Sequence, residues 1–389
     1  MREIFKYSCL IFLYALSHSY LVTCFAIDLK IQGYQERYIG LGLSFFGVGV
    51  ILGALSHYFV RKKFNLFTTI FFGSLIQLSF ATIFLFYQNP YLVSLMVFFM
   101  GVTNAINSLT LETYISSKFK KSSGFYISLF WSSAGLGAIT GSLFIAINGI
   151  NYLTYFIAIL FLSLHFIPII TFRYAFSKIV IDNVSIRLTK GIFSKIKYLL
   201  ICVVLFWACD AGFNSLFPSY LLEESFSDKQ IGKINFLAGG IALFFYPLMG
   251  KLVDTFNKTI IFNIFCLINL ANIITLYFLS DFYIYIFCVA FYYYTIGTVF
   301  LITFNIIGKK LQAGFVVFGI TGHYVSESIG SFLGPNLIGN IVNININYFF
   351  LTFFILYLLI LGFFNFNQLR NGGLSGTWTP DHPVMSGAL

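Results

Sequence analysis

Twelve apolar stretches, each close to the roughly 20 residues that a helix needs to cross a hydrocarbon core, leave this chain little choice of fold. They run over 7–27, 39–60, 65–87, 91–114, 124–147, 152–172, 198–222, 231–250, 259–280, 282–306, 315–338 and 348–366. Inside a bilayer, backbone N–H and C=O groups must be satisfied by the chain itself, so only helices and closed barrels can span it. A barrel would show short alternating segments, and the sequence has none. An all-α membrane protein with twelve transmembrane helices is the expected fold class.

Of 389 residues only 9% are charged and 59% are hydrophobic, too little polar surface to solvate a compact soluble body. The net charge of +10 does not indicate a nucleic-acid partner, because the bases fall in short clusters between apolar runs, not on one long basic face. The partners expected are the lipid bilayer and a small-molecule substrate. Cys9, Cys24, Cys202, Cys209, Cys266 and Cys288 all sit in apolar stretches without CxxC or Cys/His ligand spacing, and read as small core residues. No cofactor and no metal are expected.

Orientation follows from Lys and Arg, which gather on the cytoplasmic side. With the N-terminus inside, 19 of the 23 basic residues face the cytoplasm; only Lys30, Arg37, Lys229 and Lys233 fall outside, near Glu36, Glu223, Glu224 and Asp228. Both termini are therefore expected to be cytoplasmic, in a bacterial inner membrane. Arg2 and Lys6 precede an apolar run that carries His18 and lacks a small-x-small cleavage site, so it reads as a first span, not a signal peptide. After Asn371 the composition changes, and 371–389 read as a flexible tail or an expression remnant.

The polar segment 173–197 divides the spans six and six, giving bundles over 1–172 and 198–370 joined by a cytoplasmic loop. The halves repeat at an offset of 192 residues. Glu36-Arg37-Tyr38-Ile39-Gly40 falls on Asp228-Lys229-Gln230-Ile231-Gly232, Gly47 on Gly239, and Lys118 on Lys310. Chance matches of Leu or Phe are cheap in an apolar chain, but an acid–base–x–Ile–Gly string is not.

At these residues the chain resembles the major facilitator superfamily. The family's motif between second and third helices, G-x-L-a-D-R-x-G-R, is legible in the second half over Gly250–Lys258 with Gly250, Leu252, Asp254 and Lys258 kept. The first-half counterpart, 58–66, has Tyr58 for Gly, Lys62 for Asp and Asn65 for the second Gly. Gly330-x-x-x-Gly334-Pro335 looks like the family's glycine-proline pattern. The resemblance implies two pseudo-symmetric six-helix bundles that rock about a central site, exposing it to each side in turn. In that picture Gly330 and Gly334 let helices slide, and Asp254 pairs with Lys118, Lys120 or Lys121 to hold the cytoplasmic side closed.

Ionisable groups within spans cost about 2.5–3.5 kcal/mol each at the centre and call for a reason. His18 and Asp210 lie at mid-span one and seven, at equivalent positions under the 192 offset. The resemblance places those spans on the central cavity from opposite bundles, so the two are expected to face each other or a shared substrate. His323 and Glu327, four apart, share a face of span eleven. Glu112 ends span four. Asp210, Glu327, His18, His323 and Glu112 are the candidate proton carriers, with helix-to-helix hydrogen bonds as the bland alternative. Candidate cavity residues are Asn104, Asn107, Trp131, Trp207, Asn214 and Tyr293. His165 on span six reads as packing.

The function these readings lead to is secondary active transport of a small organic solute, coupled to protons, by a monomer, with export of a drug-like or siderophore-like solute favoured over uptake. It is not expected to be an enzyme: an intramembrane lipid-modifying transferase would need a nucleophile–base or metal constellation, and no HExxH, GxSxG or Walker string occurs. A non-transporting receptor or assembly factor is the remaining alternative, separated by whether the purified protein moves any solute.

Overall fold

A computed structural model describes residues 2–84, 89–118, 123–173, 190–279, 281–310 and 316–370. Among these, the helices are α1 Arg2–Ile31, α2 Glu36–Lys63, α3 Leu66–Phe84, α4 Pro90–Lys118, α5 Ser123–Asn148, α6 Tyr152–Leu164, α7 Phe166–Thr171, α8 Lys190–Glu223, α9 Asp228–Thr255, α10 Lys258–Phe278, α11 Phe282–Lys310, α12 Val316–Val342 and α13 Tyr348–Arg370. No strand occurs among the described residues. Nine helical stretches there are long and apolar enough to cross a membrane, and Phe67–Ile83 adds a shorter one. With α9 and α12, of 28 and 27 residues, they make the twelve spans.

Two elements differ from the sequence reading. The sixth span is broken into α6 and α7 at His165, because Pro168 has no N–H to give the Leu164 carbonyl and its ring crowds the preceding turn. Helix α8 begins at Lys190, inside the segment read as the central connection. Ile196 and Leu199 are fully buried there, so packing extends the helix beyond the apolar run, while the Lys197 ammonium lies 5.0 Å from the Tyr198 ring centre.

The offset of 192 residues holds in three dimensions. Helices α2 and α9 begin and end at equivalent positions, as do α4 and α11. Helix α1 packs along α5 as α8 packs along α12, and α2 lies on α4 as α9 lies on α11. Even the turns repeat: Gly33 and Ser225, equivalent residues after the first and seventh spans, both adopt left-handed backbone, at φ of 86° and 67°. Glycine takes that conformation freely, and serine there is uncommon.

The bundles meet along two helix pairs, α2 with α12 and α5 with α9, and more lightly where α1 approaches α8. At the end of the molecule away from both termini, here the distal end, the repeated string explains itself. Ile39 and Ile231 are fully buried. A Cβ on Gly40 would strike the Pro335 carbonyl of α12, and one on Gly232 would strike the Ala146 backbone of α5. Each glycine thus permits a close crossing between bundles.

Candidate functional site

Asp210 is set on α8 at mid-span, partly buried. Its Oδ1 accepts a hydrogen bond from Asn214 Nδ2 at 2.8 Å, an i, i+4 contact that the helix itself supplies. Pro218, four residues further, lies inside the helix and withholds an N–H from the Asn214 carbonyl, loosening the backbone beside the acid. Tyr292, Tyr293 and Tyr357 lie within electrostatic reach of the carboxyl group. Among the described residues no basic side chain forms an ion pair with it.

The structure does not bring His18 to Asp210. The His18 ring lies 4.9 Å from Phe46 of α2 and stacks 6.0 Å from Tyr14 one turn away, all within the first bundle. Asn107, 5% exposed, turns with it into that bundle: a Cβ on Gly73 of α3 would lie 3.6 Å from its Nδ2. Asn104 accepts from Ser108 Oγ at 3.2 Å on the neighbouring face of α4.

Phe300 of α11 gathers three of the candidates. Its ring centre lies 6.0 Å from Trp131 of α5, 6.4 Å from Trp207 of α8 and 5.4 Å from His323 of α12, each meeting edge to face. Since Trp131 belongs to the first bundle and the others to the second, this cluster joins the bundles in the half nearer the termini. His323 Nε2 lies 3.1 Å from Thr303 Oγ1 of α11, and its Nδ1 lies 4.0 Å from Glu327 Oε2. Sequence reasoning passed over Phe300, and with 51 phenylalanines in the chain nothing in the pattern distinguishes it.

A second junction closes the distal end. Lys30 of α1 forms ion pairs with both Glu36 of α2 and Glu223 of α8. Ser219 of α8 also donates to Glu36 Oε1, at 3.1 Å. On the equivalent side Asp228 of α9 accepts from the Ile150 N–H at 2.7 Å. The two acids of the repeated string therefore each reach across to the other bundle. A signal for this existed, since Lys30 is among the few bases on the outward side and stands near Glu36 and Glu223.

The other gating candidates fall as follows. Gly330 and Gly334 face α8, where a Cβ would strike the Val204 and Ala208 carbonyls. Gly137 and Gly141 face Phe12 and Leu16 of α1 in the same manner. Both ladders tighten contacts inside a bundle. Lys120 and Lys121 lie outside the described residues, as do the side chains of Glu112, Lys118 and Asp254. Among the described residues no group of three or more His, Cys, Asp or Glu could hold a metal ion.

A family model described as Major Facilitator Superfamily matches residues 7–335. The chain belongs to the major facilitator superfamily. No curated protein sequence matches it. Solved structures similar to it include a bacterial homologue of the human lysosomal transporter Spinster, in an inward-facing and occupied conformation, at 11% identity and a TM-score of 0.74 over 98% of each chain. The nucleoside transporter NupG is similar at 11% identity and a TM-score of 0.73, over 96% of this chain and 100% of its own. At such identities the likeness concerns the fold. This superfamily member is a multi-pass membrane transporter, and its inter-bundle pairs α2–α12 and α5–α9 are the surfaces along which two halves of such a fold meet.

Proposed function

We propose that this superfamily member moves a small organic solute by alternating access and couples the movement to protons through Asp210. The observation that carries the reading is the setting of that residue: an acid at mid-span, hydrogen-bonded to the neutral Asn214 amide and, among the described residues, without an ion-pair partner. A carboxyl group with neutral partners can take or release a proton without leaving a buried cation unpaired, and acids in such positions mark ion pathways. Glu327, beside His323, is the second carrier.

The solute is neutral or cationic and amphipathic. No Lys or Arg lies at mid-span, so a polyanion would find no counter-charge. Trp131 and Trp207 offer flat apolar faces around Phe300, Tyr293 lies by Asp210 and its partner Asn214, and Asn104 and Asn214 are the neutral polar contacts of this reading. A drug-like or siderophore-like solute fits this chemistry, carried outward across a bacterial inner membrane by a monomer with both termini in the cytoplasm.

The test is flux in proteoliposomes under an imposed pH gradient, using solutes first ranked by thermal shift of the purified protein. Accumulation should follow the gradient. Asp210→Asn should lose gradient-driven accumulation yet keep solute exchange. Flux indifferent to the gradient, with Asp210→Asn behaving as wild type, would refute the coupling.

A further inference from the structure

The 192-residue shift also relates buried and partly buried side chains on the first, third and sixth spans. Tyr14, His18, Ser74, Gln77 and His165 of the first half correspond to Phe206, Asp210, Cys266, Asn269 and Tyr357 of the second. The correspondence is physical. The Tyr14 and His165 rings meet edge-on at 6.0 Å, and the Phe206 and Tyr357 rings meet edge-on at 6.3 Å. Each bundle thus has one station at which the same three spans cross.

The two stations are filled differently. In the second bundle Asn269 Nδ2 donates to Tyr357 Oη at 2.9 Å, and Asn272 donates to Asn269 Oδ1 at 3.5 Å. Cys266 and Val299 are buried there, and a single hydroxyl, that of Tyr292 beside Tyr357, stands without a protein partner next to them. In the first bundle Ser74 and Asn107 stand at those two positions. Gln77, Asn107 and His165 are 1%, 5% and 0% exposed. Yet both amide atoms of Asn107, Nε2 of His165 and Nδ1 of His18 have no hydrogen-bond partner in the protein, and the Gln77 amide beside them reaches only the Tyr14 hydroxyl. The Tyr14 hydroxyl donates to the Met100 carbonyl at 3.3 Å and stands within reach of the Gln77 amide, and the His165 Nδ1 contact with Ser74 Oγ is long, at 3.5 Å.

Buried polar atoms are almost always paired with protein or with ordered water, and four on three side chains of one bundle, with the Gln77 amide beside them, call for a ligand. The ligand is neutral. No charged side chain among the described residues acts on His18 or His165, so an ion would sit there without counter-charge. It both donates and accepts, because amides present both kinds of atom. We infer that His18, Gln77, Asn107 and His165 form a binding site for internal water within the first bundle, and that the second-bundle station is its dry counterpart. The break between α6 and α7 lies at His165 itself, so the hydrated core lets the sixth span exchange hydrogen-bond partners during movement, whereas the second bundle moves as a packed unit.

X-ray-generated hydroxyl radicals modify side chains beside bound water even in an interior, and mass spectrometry reads the sites. In wild-type protein in nanodiscs, Tyr14 and His165 should be modified on the order of tenfold faster than Phe206 and Tyr357, after correction for intrinsic reactivity. The triple variant Gln77→Asn, Asn107→Val, His165→Tyr copies the dry station, and should bring Tyr14 down to the Phe206 rate with an equal or higher Tm. Equal rates at the two stations in wild type would overturn the inference, and that comparison needs no substitution to fold. Undiminished Tyr14 modification in the folded triple variant would overturn it as well.

Discussion

Lys30 stands between two carboxylates that belong to different halves of the chain, Glu36 and Glu223. Removing it leaves like charges facing each other across the distal junction, and repulsion acts only while that end is closed. We expect Lys30→Ala to raise the ratio of distal-open to distal-closed molecules on the order of tenfold, about 1.4 kcal/mol. Glu223 is partly exposed, with 39% of its side chain accessible, so high salt should reduce the effect. The measurement is thiol labelling of Ser219→Cys, and an unchanged labelling rate would count against the latch. At this scale the sequence was partly legible. Rarity marked Asp210, His323 and Glu327, because a charge in an apolar run stands out. Phe300 and Gln77 had no such mark, and His165 was read as packing, since aromatic and amide side chains acquire roles only from neighbours brought by other helices.

Among elements, the glycines divide into two classes that share one sequence signature. Gly334 faces α8 within its bundle, while Gly40 faces Pro335 across the boundary. Bulk at the first site is met in every conformation, so Gly334→Val should destabilise the fold by about 1–3 kcal/mol and lower Tm by several degrees. Bulk at the second is met only when the distal end closes. Gly40→Val should therefore leave Tm nearer wild type and shift the labelling of the distal end towards the open state. Equal losses of Tm at the two sites, with labelling unmoved, would show the distinction to be false. Helix boundaries followed the apolar runs to within a few residues except where Pro168 broke the sixth span and where Ile196 and Leu199 carried α8 past its hydrophobic stretch. Hydropathy registers solvent preference and is blind to both a missing N–H and a buried contact.

At the scale of the whole molecule, two bundles that close at the distal end through Lys30, Glu36, Ser219 and Asp228 must part there for a solute to cross. Ser219 Oγ and Glu36 Oε1 are 3.1 Å apart, so Glu36→Cys with Ser219→Cys should be bridged by a short bifunctional thiosulfonate reagent that spans the difference in side-chain length. Solute flux in proteoliposomes should stop when the bridge forms and return when reduction removes it; flux that persists through bridging is incompatible with rocking about a central site. The sequence by itself determined the spans, their number and the two-fold repeat, because the bilayer imposes length and apolarity locally and the repeat keeps one register through both halves. Only the tertiary structure decided which faces meet. It turned His18 into its own bundle and away from Asp210, placed the ion-pair junction at the distal end, and gave one station of a repeated pair its unpaired polar atoms. Those outcomes depend on how helices rotate against one another, and a hydrophobic pattern that is apolar on nearly every face carries no preference for any one rotation.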